Sequence, residues 1–179
     1  MRKIKLYITA SIDGYIASPD GDMDWLTEYP NPQNSDYGFR KFLSEIDTVI
    51  MGGQTYRSFL CRDIVWPYKD KTTYVITRSS VKNKLCDNIY CLSGNVIEEI
   101  SLMKKQKGDD IGLVGGGELI NILLQSNLID EMIISTVPIL LRSGIPLFSP
   151  YYEISRWHIN ESKLYENGLL QTVYKKVRS

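Results

Sequence analysis

Three short segments place phosphate-binding residue types at the ends of apolar runs. They are Met51-Gly52-Gly53-Gln54-Thr55, Thr77-Arg78-Ser79-Ser80 and Val114-Gly115-Gly116-Gly117-Glu118. Each passes from a strand-like stretch into small or polar residues that open a helix or loop. A helix start exposes unpaired N–H groups and a partial positive charge, which suits a phosphate. Glycine lets the backbone approach such a ligand closely. Arg78, beside two hydroxyls, can add a forked cationic contact. One glycine run after a strand is often only a tight turn. Three such ends in a short chain favour a dinucleotide site. None matches GxGxxG or GxxxxGK[ST], so an ordinary Rossmann fingerprint and a P-loop are both unsupported.

Other chemistry is poorly provided for. The single histidine, His158, excludes zinc fingers and HExxH sites. No GxSxG occurs. His158 lies between Trp157 and Ile159 and should face solvent on strand alternation. Cys61, Cys86 and Cys91 lack paired CxxC spacing, so buried packing is expected of them and no metal site. The odd cysteine count also argues against a disulfide framework and for a reducing cytoplasm. Asp20, Asp22 and Asp24 crowd one loop, where solvated charge is the plain reading. Hydride transfer needs no protein nucleophile, because the cofactor does the chemistry.

The chain has 179 residues, with 21 Lys+Arg against 21 Asp+Glu. Zero net charge argues against a nucleic-acid or anionic-membrane partner. At 43% apolar and 23% charged, the composition is that of an ordinary globular domain. The start faintly imitates a signal peptide. However, Ile4, Leu6, Ile8, Ala10 and Ile12 alternate with more polar residues, and Asp13 ends the run. No apolar run reaches membrane-spanning length.

The elements that must position these segments follow from periodicity. Residues 3–12 predict a strand, and residues 18–35 a long loop. Asn34 or Ser35 can cap a helix running to about Glu45, with Phe39, Phe42, Leu43 and Ile46 on one face. Strands are expected at 48–52, 73–77, 88–92, 111–114 and 129–137. Helices are expected over 54–59, after the Asn95/Glu98 capping box, and over 117–124. Lys104, Lys105 and Lys107 read as a solvated last turn. Residues 157–165 and 169–177 form a hairpin around Asn167-Gly168. This alternation predicts a single three-layer α/β domain over residues 1–179. Its central sheet is mostly parallel, with an antiparallel hairpin at the C-terminal edge.

The ordered motifs carry a resemblance. They are residues 11–17 (SIDGYIA), Gly21 to Leu26, residues 47–56 (DTVIMGGQTY), 75–78 (VITR), 114–117 (VGGG), Pro138 to Phe148 and the Asn167-Gly168 turn. Together they resemble the dihydrofolate reductase superfamily, and within it the reductase-domain (RibD C-terminal) family of riboflavin biosynthesis. The resemblance implies a dihydrofolate reductase-like fold and an NADPH-dependent oxidoreductase. It implies hydride transfer to a small pyrimidine- or pteridine-type substrate, most like 5-amino-6-(5-phosphoribosylamino)uracil reductase. Dihydrofolate reductase and a non-catalytic nucleotide-binding module remain the alternatives. It places Gly52, Gly53, Gln54 and Thr55 at the pyrophosphate, and Thr77, Arg78 and Ser79 near the adenosine 2′-phosphate. Gly115, Gly116, Gly117, Glu118 and Leu119 would line the pyrophosphate and nicotinamide side. Trp25 and Ala10 would border the nicotinamide pocket. Counting without gaps from Met51-Gly52, the resemblance matches Asp36 to the active-site acid of dihydrofolate reductases.

Two positions depart from the family pattern. Gly53 stands where arginine is common, which leaves Arg78 to distinguish NADPH from NADH. Arg142 stands where glycine is usual. No HxE…PCxxC set of the fused zinc deaminase is present. The pairing habit of the family, and the apolar residues Ile139, Leu140, Leu141, Leu147, Phe148, Tyr151 and Tyr152, lead to an expected homodimer.

Overall fold

In a parallel sheet covered on both faces, strands bury side chains on both sides and read as nearly continuous apolar runs. The computed structural model, which describes residues 1–61, 65–79, 85–150 and 154–177, contains such a sheet. Its parallel strands are β1 (Ile4–Ser11), β3 (Ile46–Gly52), β4 (Thr72–Ile76), β5 (Ile89–Leu92), β6 (Asp110–Gly115) and β7 (Glu131–Val137). The antiparallel hairpin β9 (Trp157–Leu164) and β10 (Leu170–Lys176) closes one edge. The order is β5-β4-β3-β6-β1-β7-β10-β9, so the predicted parallel sheet with an antiparallel C-terminal edge is present.

Alternation along the strands divides the core into two layers. Ile4 and Leu6 of β1, Ile50, Ile111, Leu113, Met132 and Ile134 face one side. There they meet α4 (Val96–Lys105) and α5 (Gly117–Gln125) through Ile100, Met103, Leu119, Ile120 and Leu123. Tyr7, Val49, Met51, Val75 and Ile133 face the other side. They meet α2 (Phe39–Ser44) and α3 (Gly53–Cys61) through Phe42 and Tyr56, with Trp66 and Tyr68 beside them. Trp66 stacks edge-on against Tyr56, Phe59 and Tyr68.

Several sequence expectations change. The helix expected from Asn34 or Ser35 begins only at Phe39. Asn34, Tyr37 and Gly38 take positive φ of 47°, 50° and 82°, which no continuous right-handed helix allows. A short helix, α1 (Asp24–Thr27), interrupts the long loop. Cys61 and Cys91 are exposed and Cys86 is half-buried, which corrects the expected cysteine packing. Lys104 is buried and donates to the Asp130 carboxylate and the Leu128 carbonyl. It is thus a paired core cation and not part of a solvated face. Arg142 adopts a φ of 65°, the conformation a glycine there would take without strain, and its N–H donates to Asp13 at 2.7 Å. The Asn95 cap forms as expected, accepting the Glu98 N–H at 3.4 Å, and His158 is exposed.

A small two-stranded sheet was not predicted. It pairs β2 (Tyr15–Ala17) with β8 (Ile145–Pro146). These strands of three and two residues are too short for a periodic signal. They brace the start of α5: a methyl on Gly117 would lie 3.0 Å from the Pro146 carbonyl oxygen. Gly144, at φ 155°, runs so close to Ala17 that a Cβ would fall on the Ala17 carbonyl oxygen. Gly144→Ala should therefore destabilise the fold by about 2–3 kcal/mol. A urea denaturation midpoint equal to wild type would refute this close approach.

Candidate active site at the carboxyl edge of the sheet

In open α/β sheets, ligands lie beyond the carboxyl ends of the strands. Register carries the three glycine and hydroxyl segments to that edge. Met51 pairs with Gly115 and Gly52 with Ile76, so β3, β4 and β6 end side by side. A methyl on Gly52 would lie 3.5 Å from the Gly116 nitrogen, and one on Gly116 would lie 3.3 Å from Thr55 Oγ1. One on Gly53 would lie 3.0 Å from both Cβ and Oγ1 of Thr77. The backbones of three strand ends thus approach as closely as side-chain-free residues permit. Gly115 has a φ of 112°, and the Gly115–Gly116 peptide is cis.

Each segment then presents polar groups. α5 starts at Gly117 with no side-chain cap, so its first N–H groups have no side-chain acceptor. Glu118 is exposed there and Leu119 is buried in the core. Thr77 Oγ1 accepts the Ser79 N–H at 3.2 Å and lies 3.2 Å from Ser79 Oγ. This forms a hydroxyl shelf next to exposed Arg78. Gln54 is exposed, and its side-chain amide reaches the 18–22 turn, 3.7 Å from where a methyl on Gly21 would sit. The loop carrying Trp25 therefore touches the start of α3. Trp25 itself is half-buried, and its buried indole N–H has no hydrogen-bond acceptor among the described residues. Ala10, near the end of β1, is buried. Ser80 lies outside the described residues.

Asp36 stands apart from the glycine cluster, in the segment before α2. Its carboxylate accepts N–H bonds from Gly38 and Arg40, both at 3.1 Å, and its side chain is 42% exposed. The Arg40 and Gly38 amides hold its pKa below the ordinary carboxylate value. Gly38 holds the N-cap position of α2 without a side chain, so Asp36, two residues earlier, supplies the side-chain acceptor for the first-turn Arg40 N–H, a role the sequence offered to Asn34 or Ser35.

A network absent from the sequence reading fixes this segment. The Tyr37 carbonyl accepts the Tyr7 hydroxyl at 3.0 Å and Gln171 Nε2 at 2.7 Å. Gln171 also donates to Ser135 Oγ at 2.9 Å. Asn167 Nδ2 donates to the Tyr37 hydroxyl at 2.7 Å and to the Pro30 carbonyl at 2.8 Å. Burial pushes the Tyr7 phenol pKa well up, so it stays a neutral donor. The Asn167-Gly168 turn signal was legible, but its bonds to residues 130 positions away were not. Arg57 was also missed. Its guanidinium lies 3.1 Å from where a methyl on Gly53 would be. The available signal was its position, one helical turn after a glycine.

Among the described residues, no group of His, Cys, Asp and Glu could hold a metal. No helix there is long and apolar enough to cross a membrane.

Comparison with known proteins agrees with this architecture. The profile of the RibD C-terminal domain matches residues 57–171. Uncharacterized protein YwjB of Bacillus subtilis (strain 168) is 38% identical over 170 residues, covering 95% of this chain and 92% of its own. A crystal structure of a candidate riboflavin biosynthesis protein from Shewanella sp. PV-4 superposes with a TM-score of 0.89 at 33% identity. It covers 98% of this chain and 99% of that one. Dihydrofolate reductase from Enterococcus faecalis, solved with NADP(H) and RAB-propyl, superposes with a TM-score of 0.67. It is 15% identical and covers 98% of this chain and 97% of its own, a likeness of fold. With its sheet order, its glycine-lined carboxyl edge and these matches, the chain belongs to the RibD C-terminal domain family and has the dihydrofolate reductase-like fold.

Proposed function

We propose that the protein is an NADPH-dependent reductase, transferring a hydride to a small pyrimidine- or pteridine-type heterocycle. The observation that carries this reading is the meeting of Gly52, Gly53, Thr55, Thr77 and Gly116 at one sheet edge. That edge combines close backbone approach, hydroxyls and the uncapped start of α5. A dinucleotide pyrophosphate uses each of these. Gly52, Gly53, Gln54, Thr55 and residues 115–119 hold the cofactor's phosphates and nicotinamide. Thr77, Arg78 and Ser79 take the adenosine 2′-phosphate. Bound NADPH supplies the hydride. Trp25 and Ala10 border the acceptor ring, and the unpaired indole N–H of Trp25 is a donor that a bound heterocycle can satisfy. Family membership and the likeness to a riboflavin biosynthesis protein favour a ribosylaminopyrimidine phosphate over dihydrofolate. Loss of NADPH absorbance, with each of these two substrates in turn, is the test. Turnover of the pyrimidine but not dihydrofolate is expected. No oxidation with either, despite tight NADPH binding, would favour a nucleotide-binding module.

Asp36 has two separable roles in this reading. As a cap it stabilises α2. As a carboxylate it can accept a hydrogen bond from the substrate heterocycle and support protonation beside the transferred hydride. Asp36→Asn keeps a capping oxygen, so folding should survive. NADPH binding should remain intact, with turnover lowered by roughly 10²-fold. Wild-type turnover in this variant would leave Asp36 a cap only. Asp36→Ala should cost about 0.5–1 kcal/mol at neutral pH, at the low end for an exposed cap. Because the folded pKa lies below its ordinary value of 3.8, this contribution is full above that value. It is lost as the pH falls through the folded pKa. The stability gap between wild type and Asp36→Ala should close in acid, and a pH-independent gap would contradict the capping carboxylate.

The protein also pairs as a homodimer in this reading. Among the described residues β9 is an exposed edge strand, and an unpaired edge invites a partner. Ile159 on β9 is 56% exposed, and elsewhere Ile154 is 98%, Leu140 60% and Phe148 44% exposed. Tyr151 and Tyr152 lie outside the described residues. Light scattering at micromolar concentration should give twice the 20.5 kDa chain mass, and a monomer mass would remove the proposal.

A further inference from the structure

We infer that Arg57 is a second determinant of NADPH over NADH, pairing its guanidinium with the cofactor's 2′-phosphate alongside Arg78. This rests on reading the carboxyl edge as the dinucleotide site. The side chain of a helical residue leans toward the helix N-terminus. Arg57, in the second turn of α3, accordingly lies back along the helix over Gly53. A methyl on Gly53 would sit 3.1 Å from Arg57 Nη1 and 3.0 Å from Thr77 Oγ1. The guanidinium and the Thr77 hydroxyl therefore border one space, which is open only because residue 53 has no side chain. Ser79 Oγ lies 3.2 Å from the Thr77 hydroxyl, and Arg78 stands between these two residues in the chain.

The side chains of α3 and of residues 72–79 are cationic or neutral, which suits an anionic ligand, and the buried cations elsewhere in the fold are paired. Lys5 pairs with Glu45 and Asp110, Arg2 with Asp47, and Lys104 with Asp130. Among the described residues, neither Arg57 nor Arg78 has an ion-pair partner. α3 and residues 72–79 contain no Asp or Glu. The Arg57 guanidinium and the Thr77 hydroxyl thus border the space, Ser79 Oγ lies beside that hydroxyl, and exposed Arg78 stands next to them in the chain, with no carboxylate contributed by either element. A phosphate monoester, with a charge between about −1.5 and −2 and three acceptor oxygens, matches such a set. Forked N–H pairs suit its oxygens better than a point charge does. NADH presents only neutral ribose hydroxyls at the same place.

The test compares NADPH and NADH binding to wild type, Arg57→Ala and Arg78→Ala by titration calorimetry. Arg57→Gln, which keeps the length of the side chain, serves as a second variant. Arg57 is exposed, so thermal melting should not change. Both Arg57 variants should weaken NADPH binding by about tenfold or more and leave NADH binding within about twofold. Equal losses for both cofactors would overturn the inference and make Arg57 a structural residue of α3. Unchanged NADPH affinity in the Arg57 variants, beside a loss in Arg78→Ala, would also overturn it while leaving the dinucleotide site intact. Wild type binding neither cofactor would bring down the site reading itself, and Arg57's role with it.

Discussion

The structure depends on how closely β3 and β6 can approach at their carboxyl ends. Both strands sit mid-sheet, buried on both faces, and both must leave the sheet at the same level to start helices on opposite faces. Side chains at Gly52 or Gly116 would fill the space between them. Removing side chains there brings two helix starts together and opens a backbone-lined cradle. The same choice costs chain entropy at several glycines. That cost is tolerable because β1, β3 and β6 supply nearly complete burial of Ile4, Leu6, Ile50, Ile111 and Leu113. Core and site are therefore one arrangement: the apolar strands fix the level at which the glycines emerge.

This explains which parts were legible in the sequence. Buried parallel strands must be apolar and β-branched, so Thr48 to Gly52 and Ile129 to Val137 announced themselves within two residues of their true limits. The glycine segments were legible because their composition is the constraint. What failed was decided by long-range partners. Lys104 belongs to an exposed-looking run, yet Asp130, 26 residues away, makes its burial tolerable. The start of α2 looked periodic from Asn34, but residues 34–38 turn through three left-handed conformations. Bonds from Tyr7, Asn167 and Gln171 to Tyr37 hold them there. Arg57 carried no motif at all. Its guanidinium is placed by the space left at Gly53, which no local pattern encodes.

The glycine-lined edge and the segment carrying Asp36 are held by different means. The glycine-lined edge is backbone, fixed by sheet register, and tolerates little change. Residues 29–38 are held by side-chain hydrogen bonds to the terminal hairpin. Tyr29 donates to the Asn167 carbonyl, and Asn167 in turn holds Pro30 and Tyr37. Tyr37 packs edge-on against Tyr165 at 4.9 Å. Such contacts can be rewritten by a few substitutions without disturbing the sheet.

This division bears on what the fold can do. A hydride donor needs one fixed geometry, because a small misplacement of the reacting atoms is costly in rate. The acceptor varies, so the elements around it should be replaceable. Here the segment carrying Asp36 reaches the sheet through Tyr7, Ser135 and Gln171, on strands β1, β7 and β10. These strands lie on the far side of β6 from β3 and β4, which shape the glycine-lined edge. β1 lies between the two halves and carries Ala10 at its carboxyl end. A cofactor held on the β3–β4–β6 half and an acceptor held by the β7–β10 half would meet across β1. On the proposed function, the backbone cradle can stay constant while changes around Tyr37 alter which acceptor is admitted.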